Sequence, residues 1–371
     1  MKPTSATEER PAATAGDPGA YATAVDAATA RAAAATAAAW AELRGRRAGT
    51  LPEMAELVST ISGLDGGKYL RPRLAAATYH GLGGSDDGVI DTISSALQSL
   101  HLGLCIHDDL IDRDELRHGR FNVAATVRRA DLESGQDARA AERQGTAAGL
   151  LAGDLAVNLC LRTLAHCRVD PAVRHDLILE TLAAVEDTIA GEWLDLRSEL
   201  APLDTDLPLT VAELKTAGYS MILPLRLGAV ASGGATAEIL AALTTIGRNL
   251  GIAYQLVDDE LGLFGDPART GKSTVSDLRE GKRTELVRLA HVLGSDSDRE
   301  LLTAEVGNPD LTEHTAARLR SVVEDSGARS ALREEISRAS RVAKELARES
   351  LPAALGRYLA DLATRSERRD H

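Results

Sequence analysis

Apolar residues recur at three- and four-residue intervals through most of this chain, a period that predicts helices. It predicts helical runs over Asp91–Ile111, Ala147–Cys167, Pro171–Leu196, Val211–Ala231, Ala235–Phe264 and Ala331–Leu351. An Ala-rich stretch from Tyr21 to Leu43 reads as a further helix. No segment alternates apolar and polar residues as a half-buried strand would, and no strand–helix repeat is visible. Several runs reach or exceed twenty residues, so the expected fold class is all-α: a bundle of long helices in a single domain. Residues 1–20, rich in Pro, Ala, Thr and Gly, predict a disordered N-terminal tail, with the helical domain over 21–371. Two polar stretches interrupt the pattern. Arg128–Gly145 is densely charged and reads as an exposed loop, and Gly265–Lys282 reads as a long flexible connection.

Composition sharpens this picture. Aromatic residues make up only 3% of the chain, so the core must be built from Ala, Leu and Val, a mixture that favours helix over sheet. A formal net charge of -13 argues against nucleic acid or an anionic membrane surface as partner. It leaves room for phosphorylated small molecules, which need only a few local cations or a metal. Cys105, Cys160 and Cys167 lack metal-ligand spacing, and with no secretory signal they read as reduced thiols of a cytoplasmic protein. No stretch of eighteen uncharged apolar residues exists, so no stable membrane insertion is expected.

The candidate chemistry lies where acids intrude on apolar helices. In His107-Asp108-Asp109-Leu110-Ile111-Asp112, Asp108 and Asp112 share a helical face and Asp109 sits one step round. Two like charges at about 4 Å repel by roughly 4 kcal/mol at an effective dielectric near 20, so a buried face of this kind calls for a cation. A second pair, Asp258-Asp259, ends another apolar run. Either pair alone reads as a solvated helix end; two such pairs point to a hard cation such as Mg2+, which favours a few carboxylates, water and a substrate phosphate. Lys68 and Arg71 beside Gly66-Gly67, with Lys215-Thr216, Lys272 and Lys282, add cationic and hydroxyl donors. Together they suggest a site for two diphosphates, one held through metal and one by side chains.

Six segments in this order, GGKYLRP, HDDLIDRDELRHG, LAGD, KTAGYS, YQLVDDELGLFGD and TGKSTVSDLREGKRT, resemble the trans-isoprenyl diphosphate synthases, or polyprenyl synthetases. The resemblance runs from roughly Gly66 to Arg283. It implies an all-helical fold round a central cavity, usually a homodimer, that joins isopentenyl diphosphate to an allylic diphosphate with Mg2+ as cofactor. By that resemblance Asp108, Asp109, Asp112, Asp258 and Asp259 bind the metal. Arg117, Lys215, Thr216, Gln255 and Lys272 hold or polarise the allylic substrate. Lys68, Arg71 and His101 match the isopentenyl diphosphate site.

The chain departs from the family pattern in several places. His118 replaces an Arg that binds isopentenyl diphosphate, and a neutral imidazole lacks both the charge and the fork of a guanidinium. Phe121-Asn122 replaces Pro-Thr, and Glu192 in GEWLD replaces a usual Gln. Gly262 replaces the third Asp of the second motif, leaving Asp266 as the next acid. For product length, Leu104 and Leu100 lie about 6 and 12 Å below the Asp108 level on an α-helix. Neither they nor Gly103 supplies an aromatic plug, so a twenty-carbon product, geranylgeranyl diphosphate, is expected. The rival expectations are a class I terpene cyclase on the same fold and a weakly active partner subunit of a heteromeric synthase.

Overall fold

The structure, a computed structural model, describes residues 18–48, 51–265 and 275–367. Almost all of the expected tail, and the stretch 266–274 of the expected flexible connection, lie outside them. The described residues form α1 (Pro18–Ala48), α2 (Pro52–Ser62), α3 (Leu70–Gly81), α4 (Asp87–Ile111), a β1–β2 hairpin (Leu116–Arg117 and Arg120–Phe121) and α5 (Val123–Glu133). Then come α6 (Ala138–Ala165), α7 (Pro171–Ser198), α8 (Pro208–Val211), a π-helix (Ala212–Ile222), α9 (Leu223–Ser232) and α10 (Ala237–Phe264). A short α11 (Ser276–Glu280) is followed by α12 (Glu285–Leu293), α13 (Asp296–Glu305), α14 (Glu313–Asp325), α15 (Ala328–Ser350) and α16 (Ala353–Glu367). The all-α expectation holds.

The long helices α4, α6, α7 and α10 begin at side-chain caps that satisfy otherwise orphaned amides. Asp86 accepts from Gly88 and Val89 at the start of α4, and Asp137 accepts from Arg139 and Ala140 at the start of α6. Asp170 accepts from Ala172 ahead of α7, with Pro171 as the first helical residue, and Thr236 accepts from Ile239 ahead of α10.

Four expectations are corrected. Arg128–Gly145 is not a loop: α5 runs to Glu133, and α6 starts at Ala138 behind the Asp137 cap. Its charges are solvated helix faces, and only a short turn separates them. The sheet-free reading missed the β1–β2 hairpin, which pairs Leu116 with Phe121 and Arg117 with Arg120. His118 and Gly119 form its turn with φ of 51° and 74°, the doubly positive conformation that matches strand twist. Finally, Val211–Ala231 is not one α-helix, because its first half adopts the π form. Part of the expected flexible connection is also ordered, as α11.

Among the described residues the core falls into three apolar clusters. The largest gathers Leu97 and Leu100 of α4, Leu225 of α9, Leu243 and Ile246 of α10 and Leu355 of α16. Leu97 and Leu100 are each 1% exposed, and burying a side chain of this size contributes about 1.5–3 kcal/mol. A second cluster packs Val257 and Leu263 of α10 on Leu278 of α11, Leu286 of α12 and Leu332 of α15. A third joins Trp40, Ile61 and Ile106. Among the described residues α4 and α6 are long and apolar enough to cross a membrane; α4 is mostly buried in the core, whereas less than half of α6 is.

Candidate active site

The apolar face of α4 fixes the direction of its acidic C-terminal turn. Asp109 is 2% exposed and accepts from Arg117 Nε and Nη2 at 2.8 and 2.6 Å. Arg117 comes from β1, so the hairpin turn at His118-Gly119 carries a cation back over α4. The same guanidinium lies 3.5 Å from Asp108. Asp112 is met from the other side by Lys282, whose Nζ donates to it at 2.8 Å and lies 3.3 Å from Glu280. His118 itself is exposed at the apex of the turn.

The π-helix brings the next donors. A π register is rare and tends to mark functional sites. This one is wedged between α7 and α10 through glycines on each side. A Cβ on Gly191 would collide with the Lys215 amide nitrogen, and one on Gly251 with the Ala217 backbone. That close approach places Lys215 Nζ 2.8 Å from both Glu192 and Asp195 of α7, and 3.4 Å from Asp108. On the other flank Thr216 donates to Gln255 Oε1 at 2.7 Å, and Gln255 Nε2 donates to Asp259 Oδ1 at 2.8 Å. Lys215 thus ties the first acidic motif to α7, and Thr216 ties the π-helix to the second motif on α10.

A further group forms behind α4. Arg71 donates to Tyr219 Oη at 3.0 Å and to Ser220 Oγ at 2.6 Å, with its guanidinium 4.6 Å from the Tyr219 ring centre. The His101 ring lies 6.2 Å from the same ring, so Tyr219 stands between the two residues that the resemblance assigned to one subsite. Lys68 is exposed beside Gly66 and Gly67. The loop that carries it is held by Asp65, which accepts from Tyr69 Oη and from Gln98 Nε2, each at 2.8 Å.

Leu100 is buried and Leu104 half-buried in the main core cluster, below Asp108. Gly103 faces α6 instead: a Cβ there would press on Ala156 and the Gly153 carbonyl at 3.0 Å, so its role is to let two helices approach. Lys272 and Asp266 lie outside the described residues. Sequence reading missed Asp195 and Tyr219 as site residues and treated Glu192 only as a departure. Glu192 and Asp195, three apart on α7, share the face that meets Lys215.

The electrostatics of the cleft are unbalanced toward negative charge. Burial alone would raise the Asp108 carboxyl, but Lys215, Arg117 and Lys282 outweigh it and hold it below the usual range. Removal from water opposes charge on Lys215, yet Asp195, Asp108 and Glu192 together push its ammonium well up. Glu192 is raised, first by burial, with the Lys215 ion pair opposing and Asp108 and Asp195 adding to it. Asp259 is pushed up to about 8 by burial, against its Gln255 hydrogen bond, with Asp277, Asp258 and Asp195 adding repulsion. The second carboxylate oxygen of Asp109 is buried with no hydrogen-bond partner among the described residues. Hard oxygen donors in excess of the local cations suit a divalent metal such as Mg2+, and Asp108, Asp112 and Asp258 are the residues that could hold it, although among the described residues no three acidic, His or Cys side chains already converge as a metal site. Burial, with Arg71, Arg117 and His118 nearby, holds His101 well below the usual histidine value, so it is neutral at pH 7.

Residues 52–323 match the family model described as polyprenyl synthetase. The geranylfarnesyl diphosphate synthase of Aeropyrum pernix is 32% identical over 269 residues, covering 71% of this chain and 77% of that protein. The (2E,6E)-farnesyl diphosphate synthase of Mycobacterium bovis is 33% identical over 270 residues, covering 71% of this chain and 68% of that protein. Among solved structures, the geranylgeranyl pyrophosphate synthase of Corynebacterium glutamicum, complexed with isoprenyl diphosphate and magnesium, superposes with a TM-score of 0.83. It is 26% identical and the match covers 91% of this chain and 99% of that one. The chain therefore belongs to the polyprenyl synthetase family of trans-isoprenyl diphosphate synthases, and is a prenyltransferase.

Proposed function

We propose that this protein is a cytoplasmic, homodimeric, Mg2+-dependent synthase that condenses isopentenyl diphosphate head-to-tail with an allylic diphosphate, giving all-trans geranylgeranyl diphosphate. The observation that carries the reading is the joining of two acidic helix ends, on α4 and α10, through Lys215, Thr216 and Gln255, beside a separate Arg71–Tyr219–His101 group. One half suits an allylic diphosphate and the other an isopentenyl diphosphate.

Bound at Asp108, Asp112 and Asp258, Mg2+ would supply Lewis acidity toward the departing diphosphate. Lys215 and Lys282, already poised on Asp108 and Asp112, turn their ammonium groups to the same diphosphate, and Lys272 is assigned there by its motif. These charges favour heterolysis, because negative charge grows on the leaving oxygen as the allylic C–O bond breaks. Arg71 and Lys68 hold the second diphosphate, so that the double bond of isopentenyl diphosphate faces the allylic carbon. Its π electrons form the new C–C bond, and loss of a proton from the adduct to the released diphosphate restores neutrality. Neutral His101 adds a hydrogen-bonding group without competing for the cation. The aliphatic side chains of Leu100 and Leu104 exclude water that would quench it. They leave no aromatic stop near the top of the tail path, which supports a twenty-carbon product.

The dimer reading is supported by an apolar stripe on α7. Leu179, Leu182, Ile189 and Trp193 are exposed by 49, 38, 61 and 62%, beside Leu150 and Leu151 of α6. The reading is tested by incubating purified protein with Mg2+, isopentenyl diphosphate and each allylic diphosphate in turn, then identifying dephosphorylated products by mass spectrometry. Linear alcohols reaching twenty carbons are expected, and chelation of the metal abolishes them. Cyclic hydrocarbons formed without isopentenyl diphosphate would replace this reading with a terpene cyclase.

A further inference from the structure

Position 262 lies four residues after Asp258 and three after Asp259, so on α10 its side chain would share their face. The residue there is glycine, where the resembling motif has its third aspartate. The structure gives a physical reason for the vacancy. A Cβ on Gly262 would collide with the Asp277 carboxylate, whose Oδ2 occupies that volume and whose Cγ lies within 3.6 Å. Asp277 arrives on α11, and α11 is well anchored. Val275 and Leu278 are 0 and 3% exposed, and Lys282 N–H donates to the Asp277 carbonyl at 3.0 Å. The Leu278 carbonyl accepts from Gly307 N–H at 2.7 Å. Asp259, Gly262, Asp277 and Lys282 line one recess at the end of α10. Lys282 directs its ammonium to Asp112 and Glu280, and no hydrogen bond or ion pair holds the Asp277 carboxylate among the described residues.

We propose that Asp277 supplies the third carboxylate of the second acidic motif, entering from α11 into the space that glycine at 262 leaves open, and that it binds Mg2+ together with Asp258. The proposal deepens the function given above and rests on it. The motif is then split between two segments. Its geometry depends on α11 docking against α10, and the residue at 262 must stay small while Asp277 is present.

The test uses Mn2+ as a paramagnetic probe, titrated into the full-length protein with inorganic diphosphate and followed by electron paramagnetic resonance. Asp277→Asn weakens Mn2+ binding by about tenfold or more. The double variant Gly262→Asp with Asp277→Ala restores it, because clearing the side chain at 277 lets a carboxylate occupy the same volume from α10. Unchanged Mn2+ affinity in Asp277→Asn overturns the proposal. So does failure of the double variant to recover while its thermal midpoint matches the wild type. Asp277→Asn also removes a like charge beside Asp259, so its metal-free thermal midpoint is expected to hold or rise. A large fall would mark Asp277 as a structural residue and count against it as a ligand. Elongation by the wild type, assayed alongside, separates the two claims. Unchanged Mn2+ affinity with elongation intact sinks only the role of Asp277, whereas normal Mn2+ binding without elongation sinks the proposed function.

Discussion

Lys215 shares its charge among Asp108, Glu192 and Asp195, so only part of that charge is available to a diphosphate. Glu192→Gln removes one competitor while keeping the side chain's shape. It is expected to lower the KM for the allylic diphosphate about three- to tenfold, equivalent to about 0.7–1.4 kcal/mol. Steady-state kinetics with the isopentenyl diphosphate concentration fixed would show it, and an unchanged or higher KM would contradict it. His101 gives a pH prediction. Its folded-state value is lowered, so the unfolded chain takes up the proton first as pH falls. That contribution to stability is complete above about pH 6.5 and is lost progressively below it. The thermal midpoint of His101→Gln should therefore fall less between pH 7 and pH 5 than that of the wild type; equal falls would refute the assignment. At this scale Asp108, Asp112, Asp258 and Asp259 were legible because acids inside apolar runs are costly. Glu192 and Asp195 were not, since half-exposed acids on α7 look like an ordinary solvated face. Asp277 was hidden for another reason: no periodicity says where α11 docks.

At the scale of elements, the long helices were readable because their apolar period is unbroken. What the pattern does not encode is hydrogen-bond register, so the π form over Ala212–Ile222 was invisible although the positions of its apolar residues were right. The hairpin was too short for alternation to register, and its turn signal, His-Gly, sat inside the motif read for chemistry. The two glycines flanking the π-helix carry a clear expectation. Gly191→Ala places a methyl group against the Lys215 backbone nitrogen, which cannot yield without moving the helix. Overpacking of this kind costs about 1–3 kcal/mol. The variant should melt at a lower temperature and lose turnover along with it, because Lys215 moves with its backbone. A calorimetric midpoint equal to that of the wild type would show that the contact is slack.

For the molecule as a whole, one apolar face of α7 is left uncovered by the described residues. Ile189 and Trp193, each more than 60% exposed, are the most exposed large apolar side chains on it. A double variant, Ile189→Asp with Trp193→Asp, should run as a monomer in light scattering at concentrations where the wild type is a dimer. A monomeric wild type would refute the dimer outright. The acidic clefts of such a dimer lie within each subunit, built from α4, α7, the π-helix, α10 and α11, so each subunit carries a complete set of the assigned residues. The central claim is that this cleft lengthens a prenyl chain by adding isopentenyl units to an allylic cation. The most direct test supplies geranyl diphosphate, uniformly 13C-labelled isopentenyl diphosphate and Mg2+, and reads the mass of each linear product. The account predicts mass increments of five labelled carbons per step, ending two steps on at twenty carbons, and no increments in Asp108→Asn. Products without label, or no product at all from the wild-type protein, would contradict it.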